Sequence, residues 1–359
     1  MRILFVANLL RKHLDLFHLP YIKQLIHEGN ILDIMAKNDH TDLKELEKYN
    51  ILNINKIYDI NFSRDIFSLK HIIIFFKLKD FFLKNKYDLI ITNTPIPSAL
   101  VRIAIPKKTN TKVIYFAHGF HFFKGSNLIS KLTYLPLEYF LSKKTSLIIT
   151  INKQDFELAE KKFCCKVVKV NGVGFKESFY DLTGLKKETN DKIQIISVGE
   201  LTDRKNHIDV LKVLRSLNNT KYHYTICGDG KKESFLKKYI EKHSINCTLL
   251  GHVNDVKKHI FLADIFILPS KHEGLPVALM EAMALGKLCI VSNVRGNSDL
   301  INEGNGYLYQ SLKQLSSVLK SSTYAFNTTS ILRQKAFEDS HMYSLKYVFN
   351  QIMDLYRLL

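Results

Sequence analysis

The sequence predicts an α/β protein of two doubly wound, Rossmann-like domains. Three observations carry that expectation. Short β-branched apolar runs alternate with longer amphipathic stretches from end to end. The runs fall into two series, divided by the glycine-punctuated Asn171-Gly172-Val173-Gly174. At 359 residues the chain also exceeds what one hydrophobic core usually serves.

In the first series the expected strands are Ile3–Ala7, Ile31–Ala36, Asp88–Thr92, Lys112–Ala117, Ser146–Ile151 and Lys166–Val170. In the second they are Ile193–Val198, Tyr222–Cys227, Cys247–Leu250, Asp264–Leu268 and Leu288–Val291. Near-continuous apolar character marks them as parallel strands covered on both faces. Helical periodicity fits Leu19–Glu28, Lys70–Lys84, Asn206–Leu217 and Lys231–His243. The polar stretch Thr183–Lys192 reads as part of the hinge. The expected division is 1–172, 173–343 and a final helical segment, 344–359, with apolar positions at Val348, Ile352, Leu355 and Leu358.

The composition, 46% hydrophobic and 24% charged, is that of a globular rather than a disordered chain. No apolar run is long enough for a membrane span. Met1 to Leu10 reads as a buried first strand, since it meets Arg11, Lys12 and His13 without a small-residue cleavage site. Five cysteines lack metal-like spacing and read as reduced thiols. The net charge of +18 is uneven: residues 1–170 hold 27 Lys and Arg against 15 Asp and Glu, the remainder 25 against 19. Such an excess favours anionic partners, although a generally lysine-rich surface gives the same sum. Within the first half, Ile66–Lys86 and Phe122–Lys144 mix aromatic and aliphatic residues with lysines, Phe67 and Lys124 among them. They suit an anionic membrane surface. Packing of one helix face on the core explains the same pattern.

In open α/β sheets, ligands bind beyond the carboxyl ends of the strands. Those ends carry Gly199 to Asn206, Gly228-Asp229-Gly230, Gly251-His252-Val253 and Pro269 to Pro276. Pro276 suits the first turn of a helix running on through Glu281. The amides around Gly274, Leu275 and Val277 then form a helix start apt for a diphosphate. Glu273 and Glu281 flank it, placed for hydroxyls on either side: Glu273 for a sugar, Glu281 for a ribose. An acid and base pair of a glycosidase is the rival reading, but it needs carboxyls across a scissile bond rather than about an anion site. Arg204 and Lys205 are the cations expected to stabilise a departing nucleoside diphosphate.

Glu273-x7-Glu281 within "EGLPVALMEAMALG" resembles the donor motif of glycosyltransferase family 4. The wider run "GELTDRKNH…ICGDG…GHVNDV…ADIFILPSKHEGLPVALMEAMALGKLCIVSNVRGNSDLI" resembles that family in order and spacing. "HGFHFF" and "DLIITNTP" are similar more loosely. The resemblance implies the GT-B fold, in which two Rossmann-like domains face each other across a cleft, with a C-terminal helix crossing back to the first. It implies a first domain binding the acceptor and a second binding the donor. It further implies sugar transfer with retention, from a nucleotide sugar, of which UDP is the commoner carrier, and without a bound metal or other cofactor.

By the same resemblance Lys205 is the phosphate-binding lysine, Glu273 meets the donor sugar and Glu281 the ribose. Gly228, Val253, Gly274, Leu275 and Pro276 line the nucleotide site. Where many relatives have an Arg directly after the strand-end glycine, this chain has Glu200, and Arg204 is the substitute cation. His118, at the end of Lys112–Ala117, lies near the reacting centre, with His121 beyond it. The expected acceptor is a lipid-linked glycan of capsule, exopolysaccharide or O-antigen assembly. That places the enzyme in the cytoplasm, peripheral on the inner face of the membrane, with no nucleic-acid partner. The alternatives are a UDP-sugar 2-epimerase of the same architecture and a basic nucleic-acid-binding protein. The second leaves the glycine-ended strands and paired glutamates unexplained.

Overall fold

The computed structural model describes residues 1–40, 42, 46–63, 68–106, 109–123, 125–186, 191–217, 221–324 and 326–359. Ile66, Phe67, Lys124 and residues 187–190 of the expected hinge lie outside them. Met1–Val173 with Val348–Leu359 form one compact unit, and Gly174–Tyr347 a second.

The first unit is built on seven parallel strands: β1 (Arg2–Leu9), β2 (Ile31–Lys37), β3 (Lys56–Asp59), β4 (Leu89–Thr92), β5 (Lys112–Ala117), β6 (Leu147–Thr150) and β7 (Lys166–Lys169). Their order is β3-β2-β1-β4-β5-β6-β7. The interior strand β1 pairs Val6 with Met35 of β2 and with Thr92 of β4. β4 and β6 share the sequence Leu-Ile-Ile-Thr and are buried throughout. Such double-sided burial is why these strands lack polar alternation. The end of the chain completes this unit. Tyr356 is fully buried, meeting Phe5 and Tyr21 edge to face, while Phe349 stacks on Tyr21 at 5.4 Å. Arg357 pairs with Glu28.

The second unit has six parallel strands: β8 (Ile193–Val198), β9 (Tyr222–Cys227), β10 (Cys247–Gly251), β11 (Ile265–Leu268), β12 (Leu288–Ser292) and β13 (Tyr307–Tyr309), ordered β10-β9-β8-β11-β12-β13. Its core runs from Ile195, Tyr224 and Ile226 to Ile267, Ile290, Leu315 and Leu319. In each sheet the strand order reverses once, beside β1 and β4 and again beside β8 and β11. Chain connections leave the sheet in opposite directions at that point and open a crevice at the strand ends.

Two edge strands, β3 and β13, have no counterpart among the sequence expectations. One is Lys-Ile-Tyr-Asp and the other only three residues long. β3 is half-exposed and polar at both ends, which removes the apolar signature, and β13 is too short to show one. The second unit also runs past the expected end at residue 343, to Tyr347.

Candidate functional site

The reversal between β8 and β11 assembles a cluster of buried and half-buried charges. Residues Leu201 to Lys205 follow β8, and Ser270 to Glu273 follow β11. Glu273 is buried, and both its carboxylate oxygens are engaged. Oε1 accepts from Lys205 Nζ at 2.7 Å and from Ser270 Oγ at 2.6 Å; Oε2 accepts from Arg204 Nη1 at 2.8 Å. Burial alone pushes this carboxyl up, but Lys205 and Arg204 outweigh it and hold the group below the ordinary carboxylate range. The sequence-expected Arg204, Lys205 and Glu273 are therefore brought together, and the two cations meet the glutamate itself. With two cations and one carboxylate, the cluster keeps a net positive charge.

A second layer holds this loop. Arg295 Nε donates to the Glu273 carbonyl at 2.9 Å, Ser292 Oγ to the Ser270 carbonyl at 2.5 Å, and Asn297 Nδ2 to the Ser292 carbonyl at 3.0 Å. Gly296 has φ +82°, and a Cβ there would lie 2.6 Å from the Gly274 carbonyl oxygen. Only glycine fits that contact. Gly228 is similar: a Cβ would stand 2.1 Å from the Gly199 carbonyl oxygen. The expected nucleotide-site residue Gly228 thus packs the loop after β9 against the loop after β8. Val253, after β10, is half-buried.

Gly274, Leu275 and Pro276 lead into the helix Val277–Ala284. Pro276 sits one residue before the helix rather than in its first turn, and its carbonyl accepts from Leu279 at 3.2 Å and Met280 at 3.4 Å. No side chain caps the start, so helix geometry leaves the first amides without an intrahelical acceptor. The free amides expected at this helix start are thus available to an acceptor. Glu281 lies one turn further on. Some of its side chain remains accessible, yet burial pushes its carboxyl up to about 8, with Lys176 pulling the other way. The two glutamates therefore differ in kind: Glu273 is a clamped carboxylate, and Glu281 is largely protonated at neutral pH.

In the first unit His118 follows β5, as expected. Its Nε2 is 2.9 Å from Nε2 of His18, and its ring lies against Phe17 and Phe116. Burial, with a smaller effect from His13, lowers His118 to about 3; burial and then His118 lower His18 as well. Both rings are neutral at physiological pH. Two bare nitrogens cannot share a hydrogen bond, so one ring carries its proton on Nε2. The Nδ1 of His18 is buried without a partner. An orphan N–H is the rarer fault, which favours His18 as the donor and leaves the His118 proton on Nδ1. His121 is exposed beside Tyr134. Among the described residues no three His, Cys, Asp or Glu side chains group as a metal site.

Residues 2–152 match the family described as glycosyl transferase 4-like, and residues 185–321 match glycosyl transferases group 1. The chain belongs to this glycosyltransferase family. It is similar to the putative glycosyltransferase EpsD of Bacillus subtilis, with 28% identity over 86% of this chain and 83% of that protein. It is also similar to the UDP-Gal:alpha-D-GlcNAc-diphosphoundecaprenol alpha-1,3-galactosyltransferase of Escherichia coli, with 32% identity over 63% of each. The chain thus spans less than two thirds of the galactosyltransferase's length. Among solved structures, sucrose-phosphate synthase from Thermosynechococcus elongatus superposes with a TM-score of 0.81 at 14% identity, covering 100% of this chain and 98% of that one. HepE of Anabaena, in complex with UDP and glucose, gives 0.76 at 16% identity over 100% of both chains. At these identities the likeness concerns the fold, which is GT-B.

Sequence reasoning missed Ser270, Arg295 and Lys176 around the candidate site of the second unit, and His18 beside His118 in the first. Ser270 and Arg295 each follow a strand on the carboxyl side, and that position was their available signal. Lys176 and His18 act from loops whose reach only the fold reveals.

Proposed function

We propose that this glycosyltransferase moves a sugar from a UDP-sugar to a hydroxyl of a lipid-linked saccharide, with retention of configuration, during assembly of capsule, exopolysaccharide or O-antigen. The observation that carries this reading is the Lys205–Glu273–Arg204 cluster set just before the uncapped helix start at Val277. In this reading a diphosphate meets the amides of the helix start together with Lys205 and Arg204. Glu273, already fixed by both cations, turns towards the sugar, and the protonated Glu281 hydrogen-bonds the ribose.

Departure of the diphosphate concentrates negative charge on its β-phosphate, and preorganised cations there favour the transition state over the ground state. The bond from the anomeric carbon to the phosphate oxygen breaks as the bond to the acceptor oxygen forms on the same face. The acceptor proton passes to the departing phosphate. Lys205 and Arg204 supply the positive charge, so this scheme calls for no metal. His118, neutral in the first unit, is not needed as a base in this scheme.

The nucleotide is read from relatives, since the Escherichia coli protein is named for UDP-Gal and the Anabaena structure holds UDP. The acceptor class follows from the diphosphoundecaprenol in the former name. Such an acceptor sets the enzyme at the inner, cytoplasmic face of the membrane.

A panel of UDP-sugars incubated with a lipid-linked acceptor tests the scheme, with the new linkage assigned by NMR. Release of UDP and a product keeping the donor's anomeric configuration is expected. An inverted linkage, or a sugar trapped on a carboxylate, overturns the mechanism. An epimerised UDP-sugar formed without acceptor overturns the assignment of the reaction.

A further inference from the structure

Two helices of the first unit are apolar on the side that the core does not use. In Lys70–Lys84, Ile74, Leu78 and Phe82 are buried against the sheet. Facing away are Leu69, at the residue before this helix, and Ile72, Ile73, Phe76 and Leu83, all 56–77% exposed. Their spacing follows the helical period, so they form one stripe roughly opposite the buried one. Exposed Lys70, Lys77 and Lys84 flank it at seven-residue intervals, and the helix's one acid, Asp80, is paired with Lys84 at 2.7 Å.

The helix Leu128–Ser142 repeats the pattern. Leu128, Ile129, Leu132, Tyr139 and Phe140 are 39–70% exposed, and Lys143 Nζ lies 5.1 and 5.7 Å from the last two rings. Its one acid, Glu138, is turned inward, where buried Arg102 approaches both its oxygens at 2.9 Å. The right-handed connections between β3 and β6 put both helices on one face of the sheet, either side of Pro95–Ala104. Ile103 of that middle helix is exposed too, and Lys144 Nζ donates to its carbonyl at 3.2 Å.

We infer that this face docks on an anionic lipid surface, with the apolar side chains entering the interface and the lysines at headgroup level. The inference deepens the membrane-side function proposed above and rests on that reading for its setting. The folded core does not require these side chains, and exposed apolar residues gathered along a helix face mark an interaction surface. Lysines flanking an apolar strip whose one exposed acid, Asp80, is paired with Lys84 are the pattern of a helix lying in an anionic interface. A second copy of the chain would bring the lysine rims together, which opposes self-association. Among the described residues no helix is long and apolar enough to cross a membrane, so the contact is made from the surface.

The test is flotation of the full chain with vesicles of phosphatidylcholine alone or with ~30% phosphatidylglycerol. Binding to the anionic vesicles, weakened by salt, is expected. In F76E/F140E, and separately in L132E, partition should fall at least about tenfold, while the melting temperature and its shift by UDP stay unchanged. Failure of the parent to float with anionic vesicles, or equal flotation of both variants, overturns the inference. So does a dimer in solution that the variants dissociate. The UDP shift, read on the same samples, reports the donor site separately, so failure of one reading is not confused with failure of the other.

Discussion

Glu273 and Glu281 are eight residues apart, and their environments drive them in opposite directions. Lys205 and Arg204 lower Glu273, so its charge stabilises the fold above its unfolded pKa, and that contribution is lost as pH falls through the folded value. Lys205→Met is expected to cost about 2–4 kcal/mol, because it leaves a buried carboxylate with Arg204 and Ser270 alone. Adding Glu273→Gln should recover part of that loss, and urea unfolding of the single and double variants measures the coupling. Glu281 has the opposite sign. Its folded pKa of about 8 means stability is fully present below the unfolded value and drains away as pH rises through 8. Glu281→Gln should therefore lie within about 1 kcal/mol of the parent near pH 5 and gain on it by about 3–4 kcal/mol more near pH 8. Urea midpoints at the two pH values check it. For the histidines, no titration of His18 or His118 is expected between pH 5 and 8, and His118 should carry its proton on Nδ1. Imidazole nitrogen shifts read both; an Nε2 proton on His118 would reverse the assignment.

The elements explain why those residues meet. Arg204 and Glu273 are 69 residues apart in the chain. They face each other because β8 and β11 are neighbours in the sheet. The residues were legible in the sequence as strand-end cations and carboxylates, but their mutual pairing was not, since it depends on strand order. The buried strands were legible because double-sided burial leaves uninterrupted apolar runs, as in the two Leu-Ile-Ile-Thr segments. β3 was not, because its half-exposed edge keeps polar residues, and β13 was not, because three residues are too few for a pattern. The amphipathy of Lys70–Lys84 was legible in part. Its residues were visible, but which apolar side faced the core needed the packing. Gly296→Ala tests the loop architecture. A Cβ pressed on the Gly274 carbonyl must shift the segment carrying Glu273, at an expected cost of about 1–3 kcal/mol. UDP affinity should fall more than stability alone predicts; unchanged affinity measured by titration calorimetry would detach this contact from the donor site.

At the scale of the molecule, the two units have separate sheets and cores, and the last residues of the chain belong to the first. Tyr356 fills a fully buried place between Phe5 and Tyr21. Tyr356→Ala should cost about 3–5 kcal/mol of stability by chemical denaturation, without altering UDP affinity, because the donor residues lie in the other unit. The return of the chain end had only the periodicity of Val348, Ile352, Leu355 and Leu358 as its sequence signal. Periodicity shows that a face is buried but not where. The role proposed for the second unit is to bind a nucleoside diphosphate through Lys205, Glu281 and the helix start at Val277. Thermal unfolding with UDP tests it most directly. At one hundred dissociation constants the parent should gain about 2.7 kcal/mol, and both Lys205→Ala and Glu281→Ala should lose that gain. An equal gain in all three proteins, or none in the folded parent, would contradict the claim.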